Sequence, residues 1–262
     1  MHPLRCKAIA SARLKNDKVD AATLAQLLRA DLLPEAWIAP AKVRQLRALI
    51  RHRISLVRRG TQLRNRIHAV AADHGYDRSA SYWTGPGRGW LAELDLPATS
   101  REVVTDCLAV IDALAPVIER LDGELHACAK ADPRVKVLTT LPGVGELTAL
   151  VMLAEIGDIS RFPSARKLAS WAGLTPTVRG SDRTVRRKHI SKQGSAWLRW
   201  AMNQAAQTAK RSPEFSVSYA VIAAKRGKKI ATIAIARKLL TRAWHLLSEM
   251  QAADASTPLR RP

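Results

Sequence analysis

Two stretches of this chain hold residues that could do chemistry: an acidic pair near the start, Asp17 and Asp20, and a glycine- and arginine-rich stretch between Leu138 and Trp200. Residues 15–33 read K-N-D-K-V-D-A-A-T-L-A-Q-L-L-R-A-D-L-L, which predicts a helix capped by Asn16 or Asp17 with Val19, Leu24, Leu27 and Leu28 on its apolar face. On such a helix Asp17 and Asp20 lie one turn apart, a spacing at which two carboxylates can share a divalent cation. Acidic residues in a first turn are also stabilised by the helix dipole alone, and that is the commoner reason for finding them there.

In the second stretch, Pro142, Gly143, Val144 and Gly145 separate the apolar residues Leu138 and Leu141 from Leu147, Ala149, Leu150 and Val151. The pattern predicts a helix, a tight turn and a helix. Glycines at 143 and 145 let the backbone adopt positive φ and bring its N–H groups, at the head of the second helix, against a phosphate. This is the helix-hairpin-helix pattern of sequence-independent DNA binders, and an ordinary turn between two core helices has the same signature. Downstream, Arg179, Arg183, Arg186, Arg187, Lys188, Lys192 and Arg199 are opposed only by Asp182, which makes a polyanion the natural partner.

Composition supports that direction. The chain has 262 residues, with 43 Lys and Arg against 22 Asp and Glu, a net charge of +21. Binding to nucleic acid by so basic a chain should depend strongly on salt, because each phosphate contact releases counterions. The longest uncharged apolar run, Leu147 to Ala154, is too short to span a bilayer, and the first residues lack a signal-peptide core, so a cytoplasmic protein without a membrane partner is expected. Cys6, Cys107 and Cys128 have no metal-ligand spacing and are expected as reduced, buried thiols; the histidines are scattered.

These groups need a scaffold, and the periodicity is helical. From Lys42 to Ala72, apolar residues recur at Val43, Leu46, Ile50, Ile54, Val57, Leu63, Ile67 and Val70, with Arg44, Arg47, Arg51, Arg53, Arg58, Arg59, Arg64 and Arg66 on the other face. After a connector from Trp83 to Trp90, a second seam runs through Val104, Cys107, Ile111, Leu114, Ile118, Leu121, Leu125 and Cys128, with Pro116 expected to kink its helix without breaking it. Two such helices predict an antiparallel coiled coil, within the chain or between subunits of a homo-oligomer, whose arginine-rich flank would face nucleic acid. Further on, helices are expected after Ser164, over 195–211 and over 228–250, with a loop or short hairpin around Gly180, Ser181 and Asp182.

Together, K-N-D-K-V-D-A at Lys15, the L-P-G-V-G turn, D-I-S-R-F-P-S-A-R-K-L-A-S-W-A-G-L-T-P from Asp158, I-S-K-Q-G-S-A-W-L-R-W from Ile190 and R-G-K-K-I-A-T-I-A-I-A-R-K-L-L resemble the DEDD-type insertion-sequence transposases of bacteria. The resemblance implies a mainly α chain: the end of a RuvC-like nuclease domain (1–38), a coiled-coil arm (39–132), a transposase domain with a helix-hairpin-helix (133–252) and a disordered tail (253–262). It implies that Ser181 attacks the DNA phosphodiester and that Asp17 and Asp20 are the last two acidic residues of a metal site, with Mg2+ as cofactor. It also implies a guide RNA in related systems.

Two departures stand out. The family's serine is usually followed by Gly, where this chain has Asp182. Only sixteen residues precede Asp17, too few for the strands that carry the other two acids, so the sequence leads one to expect an N-terminally truncated transposase that binds DNA with little strand-transfer activity. The alternative is a non-enzymatic helix-hairpin-helix DNA-binding protein.

Overall fold

The computed structural model describes residues 17–32, 36–181 and 184–256. It separates the chain into two compact units, 1–41 and 42–262. In the first, α1 (Asp17–Arg29) carries Asp17 and Asp20 in its first turn. Leu27 is buried and Val19 and Leu24 are half-buried, whereas Leu28, expected on the same face, is 67% exposed. Asp31, at φ 53, turns the chain out of the helix.

The second unit is mainly α. Its first part is a helical hairpin of α2 (Ala41–Asp73) and α4 (Ala98–Ala131), with α3 (Gly85–Glu93) at the far end. The two long helices run antiparallel: Ile50 and Ile54 near the start of α2 share a cluster with Leu125 and Ala129 near the end of α4, while Ile67 and Val70 meet Val104, Cys107 and Ile111. Arg53 grips the Asp122 carboxylate with two bonds of 2.8 and 3.0 Å. Helix α4 continues unbroken through Pro116, whose ring lies on the exposed side.

Two expectations change here. The stretch expected as a connector contains α3, with Pro86 in its first turn, where the missing N–H costs nothing. Tyr82, Trp83 and Trp90 gather there with His68, with ring centroids 4.1 to 5.9 Å apart. Cys128 is exposed, because the buried stripe steps from Leu121 to Leu125 to Ala129, following the helix pitch instead of the three-residue step of the heptad. Cys107 is buried, and that burial pushes its thiol pKa up.

Beyond the arm follow α5 (Pro133–Leu138), α6 (Glu146–Ile156), a 3-10 turn (Ile159–Arg161), α7 (Ala165–Trp171), a two-stranded ribbon of β1 (Pro176–Ser181) and β2 (Thr184–Ile190), α8 (Ala196–Ala209), α9 (Pro213–Arg226) and α10 (Lys228–Ser256). Helix α9 is not apparent in the apolar pattern, since Phe215 is its one fully buried residue. Helix α10 extends to Ser256, and residues 257–262 lie outside the described residues. The core forms around α6, which is buried at every position from Ala149 to Ile156 and is apolar there except at Glu155. Leu168, Leu198, Met202, Leu239 and Leu240 surround it, and Ile50, Ile54, Leu125 and Ala129 from the root of the arm belong to the same cluster.

A helix buried to its end needs partners for its last carbonyls, and arginines supply them. Arg47 donates to the carbonyls of Ala154 (2.6 Å) and Glu155 (3.1 Å), Arg161 donates to that of Ile156 (2.8 Å), and Arg51 pairs with the buried Glu155 carboxylate at 2.7 Å. Arg47 and Arg51 thus tie the arm to the core, and reversing their charge would test folding before it tested nucleic-acid binding.

Gly60 is buried within α2, yet a Cβ built there meets no atom within 4 Å. Gly60→Ala should therefore stabilise the chain by about 0.5–1 kcal/mol, the difference between the two residues in a helix interior, seen as a higher urea midpoint.

Candidate nucleic-acid interface

Ser181 is the last residue of β1. The strands pair antiparallel with Arg179 opposite Arg186, Gly180 opposite Val185 and Ser181 opposite Thr184, and the register is irregular between Pro176 and Val178. The pleat puts backbone positions 179, 181, 184 and 186 on one side of the ribbon. Arg187 and Lys188 follow on β2, while Asp182 and Arg183 lie outside the described residues. The sequence thus places cationic residue types along both strands beside the serine position.

A two-stranded ribbon is marginal by itself and needs an anchor. Here the anchor is an interlock of two turns. Gly173 and Gly194 have φ of 71 and 72, in the left-handed region that favours glycine. A Cβ on Gly173 would strike the backbone of Gln193, and a Cβ on Gly194 would strike the carbonyl of Trp171. Main-chain bonds join the turns, from Ser191 N to Thr175 O at 2.9 Å and from Lys192 N to Gly173 O at 3.2 Å. Arg199 closes the arrangement from α8, its Nη1 donating to the carbonyls of Gln193 (2.6 Å), Gly194 (3.1 Å) and Ala172 (3.2 Å). Burial lowers the Arg199 pKa, but a guanidinium with three carbonyl acceptors stays charged. Arg199, counted among the cations of a nucleic-acid face from sequence, is occupied in holding the ribbon. Lys192 is exposed at its foot with φ 53.

Directly after the interlock, Ser195 caps α8, its Oγ accepting from Leu198 N at 3.1 Å. The first turns of α8 present Trp197 and Trp200, with the Arg58 guanidinium 4.9 and 5.9 Å from their ring centroids and Arg51 at 5.7 Å from Trp197. This seam between α2 and α8 was missed in the sequence; only the W-L-R-W spacing hinted at it.

The glycine elbow between α5 and α6 divides its three residues. Gly143, at φ 75, lies against α8, where a Cβ would strike the carbonyl of Ala205. Val144 is 5% exposed and its N–H bonds to Leu141 O at 3.1 Å. Gly145 is exposed, with nothing within 4 Å of a built Cβ. Gly143 and Val144 therefore join the elbow to the core, and Gly145 opens outward at the head of α6. Beside it, the Glu146 carboxylate accepts from His126 Nδ1 at 2.8 Å.

Asp17 and Asp20 are both exposed in the first turn of α1. Among the described residues, no group of three or more His, Cys, Asp or Glu side chains is placed to hold a metal ion. Two exposed carboxylates one turn apart can supply only part of an Mg2+ shell, the rest of which would come from water or phosphate oxygens.

A helical core that clamps a cation-bearing ribbon, on a chain of net charge +21, suits a protein of the nucleic-acid-binding class. Comparison with known proteins gives the family. Residues 135–220 match the model described as the transposase IS116/IS110/IS902 family, and residues 1–74 match that of the DEDD transposases of the IS110 type. The chain belongs to this family of insertion-sequence transposases. A Sinorhizobium fredii protein classed as a transposase is 30% identical over 203 residues, covering 77% of this chain and 50% of that protein. The transposase for insertion sequence element IS1111A of Coxiella burnetii is 27% identical over 251 residues, covering 90% of this chain and 68% of the relative. The pilin gene-inverting protein of Moraxella bovis is 33% identical over 145 residues, covering 52% and 45%. The chain spans about half the length of the first of these relatives.

The interlock makes a sharp prediction. Gly194→Ala should destabilise the chain by on the order of 3 kcal/mol, from left-handed strain plus a backbone collision, whereas Gly145→Ala, at φ −92 in open space, should shift the urea midpoint little.

Proposed function

We propose that this chain handles DNA for an insertion-sequence recombinase, holding the duplex on the ribbon and elbow and presenting Ser181 to a phosphodiester. What supports the reading is the clamped ribbon: Ser181 ends a strand whose foot is fixed by Gly173, Gly194 and Arg199. Attack by Ser181 Oγ on phosphorus forms an Oγ–P bond and breaks the bond to one sugar oxygen, with the serine proton passing to that oxygen as it leaves. The ester energy is kept in the protein–DNA link, so a second strand's hydroxyl can reverse the step.

Positive charge must offset what builds on the phosphoryl oxygens in the transition state, and the cationic residues nearest Ser181 in the sequence, Arg179, Arg183, Arg186, Arg187 and Lys188, are the candidates to supply it, with Lys192 at the foot of the ribbon. At the elbow, Gly145 and the first amides of α6 offer a phosphate contact, while Gly143 and Val144 hold the turn. Asp17 and Asp20 would be the protein ligands of a bound Mg2+, and no bond or proton of the serine step depends on them.

The arm suits a homo-oligomer, because Val110 and Val117, one heptad apart on α4, are 48% and 36% exposed. By resemblance a guide RNA is a further partner, for which the exposed Arg59 and Arg66 of α2 provide charge. No helix among the described residues is long and apolar enough to cross a membrane.

Ser181→Ala should abolish covalent adducts with a nicked duplex that traps the intermediate, and leave duplex affinity within about twofold, since the hydroxyl carries no charge to release counterions. If the unaltered chain binds the duplex yet never forms an adduct, it is a non-enzymatic DNA-binding protein. Glu146→Gln removes a negative charge from the head of α6 and should raise duplex affinity by about two- to fivefold at low salt, an advantage that shrinks as salt rises, read by fluorescence anisotropy.

A further inference from the structure

We propose a second phosphate-binding site, remote in sequence from the ribbon and elbow, in a polar cavity of about 340 Å3 where α8, α9 and α10 converge. Its walls include Lys210, Lys228 and Lys229 together with Asn203, Gln207 and Tyr219, and no acidic residue lines it. The two larger cavities differ in this respect: one of about 650 Å3 includes Glu214 among mainly apolar walls, and one of about 910 Å3 includes Asp132 and Asp158. Three lysines line this cavity with no acidic residue among its walls, a lining that favours an anion.

The local fold explains how they converge. Helices α9 and α10 are joined by one residue, Gly227, at φ 86. Glycine lets the chain reverse there, and Lys228 and Lys229 become the first residues of the next helix. Gly227 has no side chain with which to cap that helix, and the first main-chain bond across the junction runs from Ala231 N to Gly227 O at 3.1 Å. The Thr232 hydroxyl turns back to Lys228 O at 3.0 Å. The head of a 29-residue helix thus adds its positive end to a cavity that already holds three lysines.

Across the cavity, Lys210 is held in position. Its Nζ donates to Gln207 Oε1 at 2.7 Å and lies 5.4 Å from the Tyr219 ring centroid. Asn203 and Gln207, one turn apart on α8, add amide donors that suit phosphate oxygens. At about 340 Å3 the cavity has room for a phosphate group, and in a DNA-handling chain that phosphate belongs to the backbone of a polynucleotide. This assignment rests on the reading of the chain as a DNA-handling protein and adds to it a contact that the R-G-K-K sequence exists to make.

The test uses the full chain and a fluorescently labelled duplex. The double variant Lys228→Ala with Lys229→Ala should weaken binding about tenfold near physiological salt, and should reduce the slope of log K against log salt by about one to two. A control pair, Lys225→Ala with Arg226→Ala, removes two exposed charges that do not line this cavity, and should change binding clearly less. An unchanged slope in the first double variant, or an equal loss in the control, overturns the site while leaving the DNA-handling reading intact. Failure of the unaltered chain to bind the duplex at all sinks that reading instead. In a parallel arm, inorganic phosphate is titrated against the melting temperature. Stabilisation by phosphate that needs Lys228 and Lys229, in a chain that does not bind duplex, marks a free-anion site and overturns the backbone assignment.

Discussion

The interlock of the turns at Gly173 and Gly194 is the constraint on which the rest of the second unit depends. Each glycine occupies space that a side chain would need, and each faces the main chain of the other turn. Arg199 converts that steric fit into a bonded one by serving three carbonyls at once. Without such a foot, two strands and fewer than twenty residues have little reason to stay paired. Helix α8 anchors more than the ribbon, since Gly143 of the elbow presses on its far turns at Ala205 and Ala209. The buried residues Ala201, Ala205, Ala206 and Ala209 leave that face of α8 low enough for backbone to approach. One alanine-rich helix thus sets the positions of both the ribbon and the elbow.

Charge in this molecule serves two ends. The excess of lysine and arginine reads as an affinity for polyanions, yet a good part of it is consumed internally. Arg47 and Arg161 satisfy carbonyls at the end of the buried α6, Arg51 neutralises Glu155, Arg53 and Arg88 grip Asp122 and Asp112, and Arg58 lies over two tryptophans. Arginine suits this role because its planar head can bond several acceptors while its stem covers apolar surface. Cations that face outward are therefore better marked by position than by number, and Lys228 and Lys229 at the α10 head are set apart in this way.

Much of the architecture was legible because it follows from periodicity. The long helices, their antiparallel pairing, the passage through Pro116 and the cap at Ser164 are all written in apolar spacing and cap residues. What escaped notice has physical causes. Helix α9 buries so little that its sequence carries no stripe, and α3 is hidden by glycines that usually signal loops. The seam to Ala129 in place of Cys128 reflects a few degrees of pitch per turn. At the site, a lone sequence shows which residues are cationic but not which are already occupied, so Arg199 looked the same as Lys192. The inward turn of Gly143 and Val144 depends on where α8 packs, and nothing within five residues of the elbow encodes that.

The arm has a further consequence, of scale. A 33-residue helix is about 50 Å long at 1.5 Å per residue, close to fifteen base pairs of duplex at 3.4 Å each. The aromatic knot of Tyr82, Trp83 and Trp90 therefore stands more than one full turn of double helix from the root of the arm. Anything that touches both ends must be measured against that fixed interval, and α2 with α4 acts as a ruler whose graduation is the number of residues between Ala41 and Asp73.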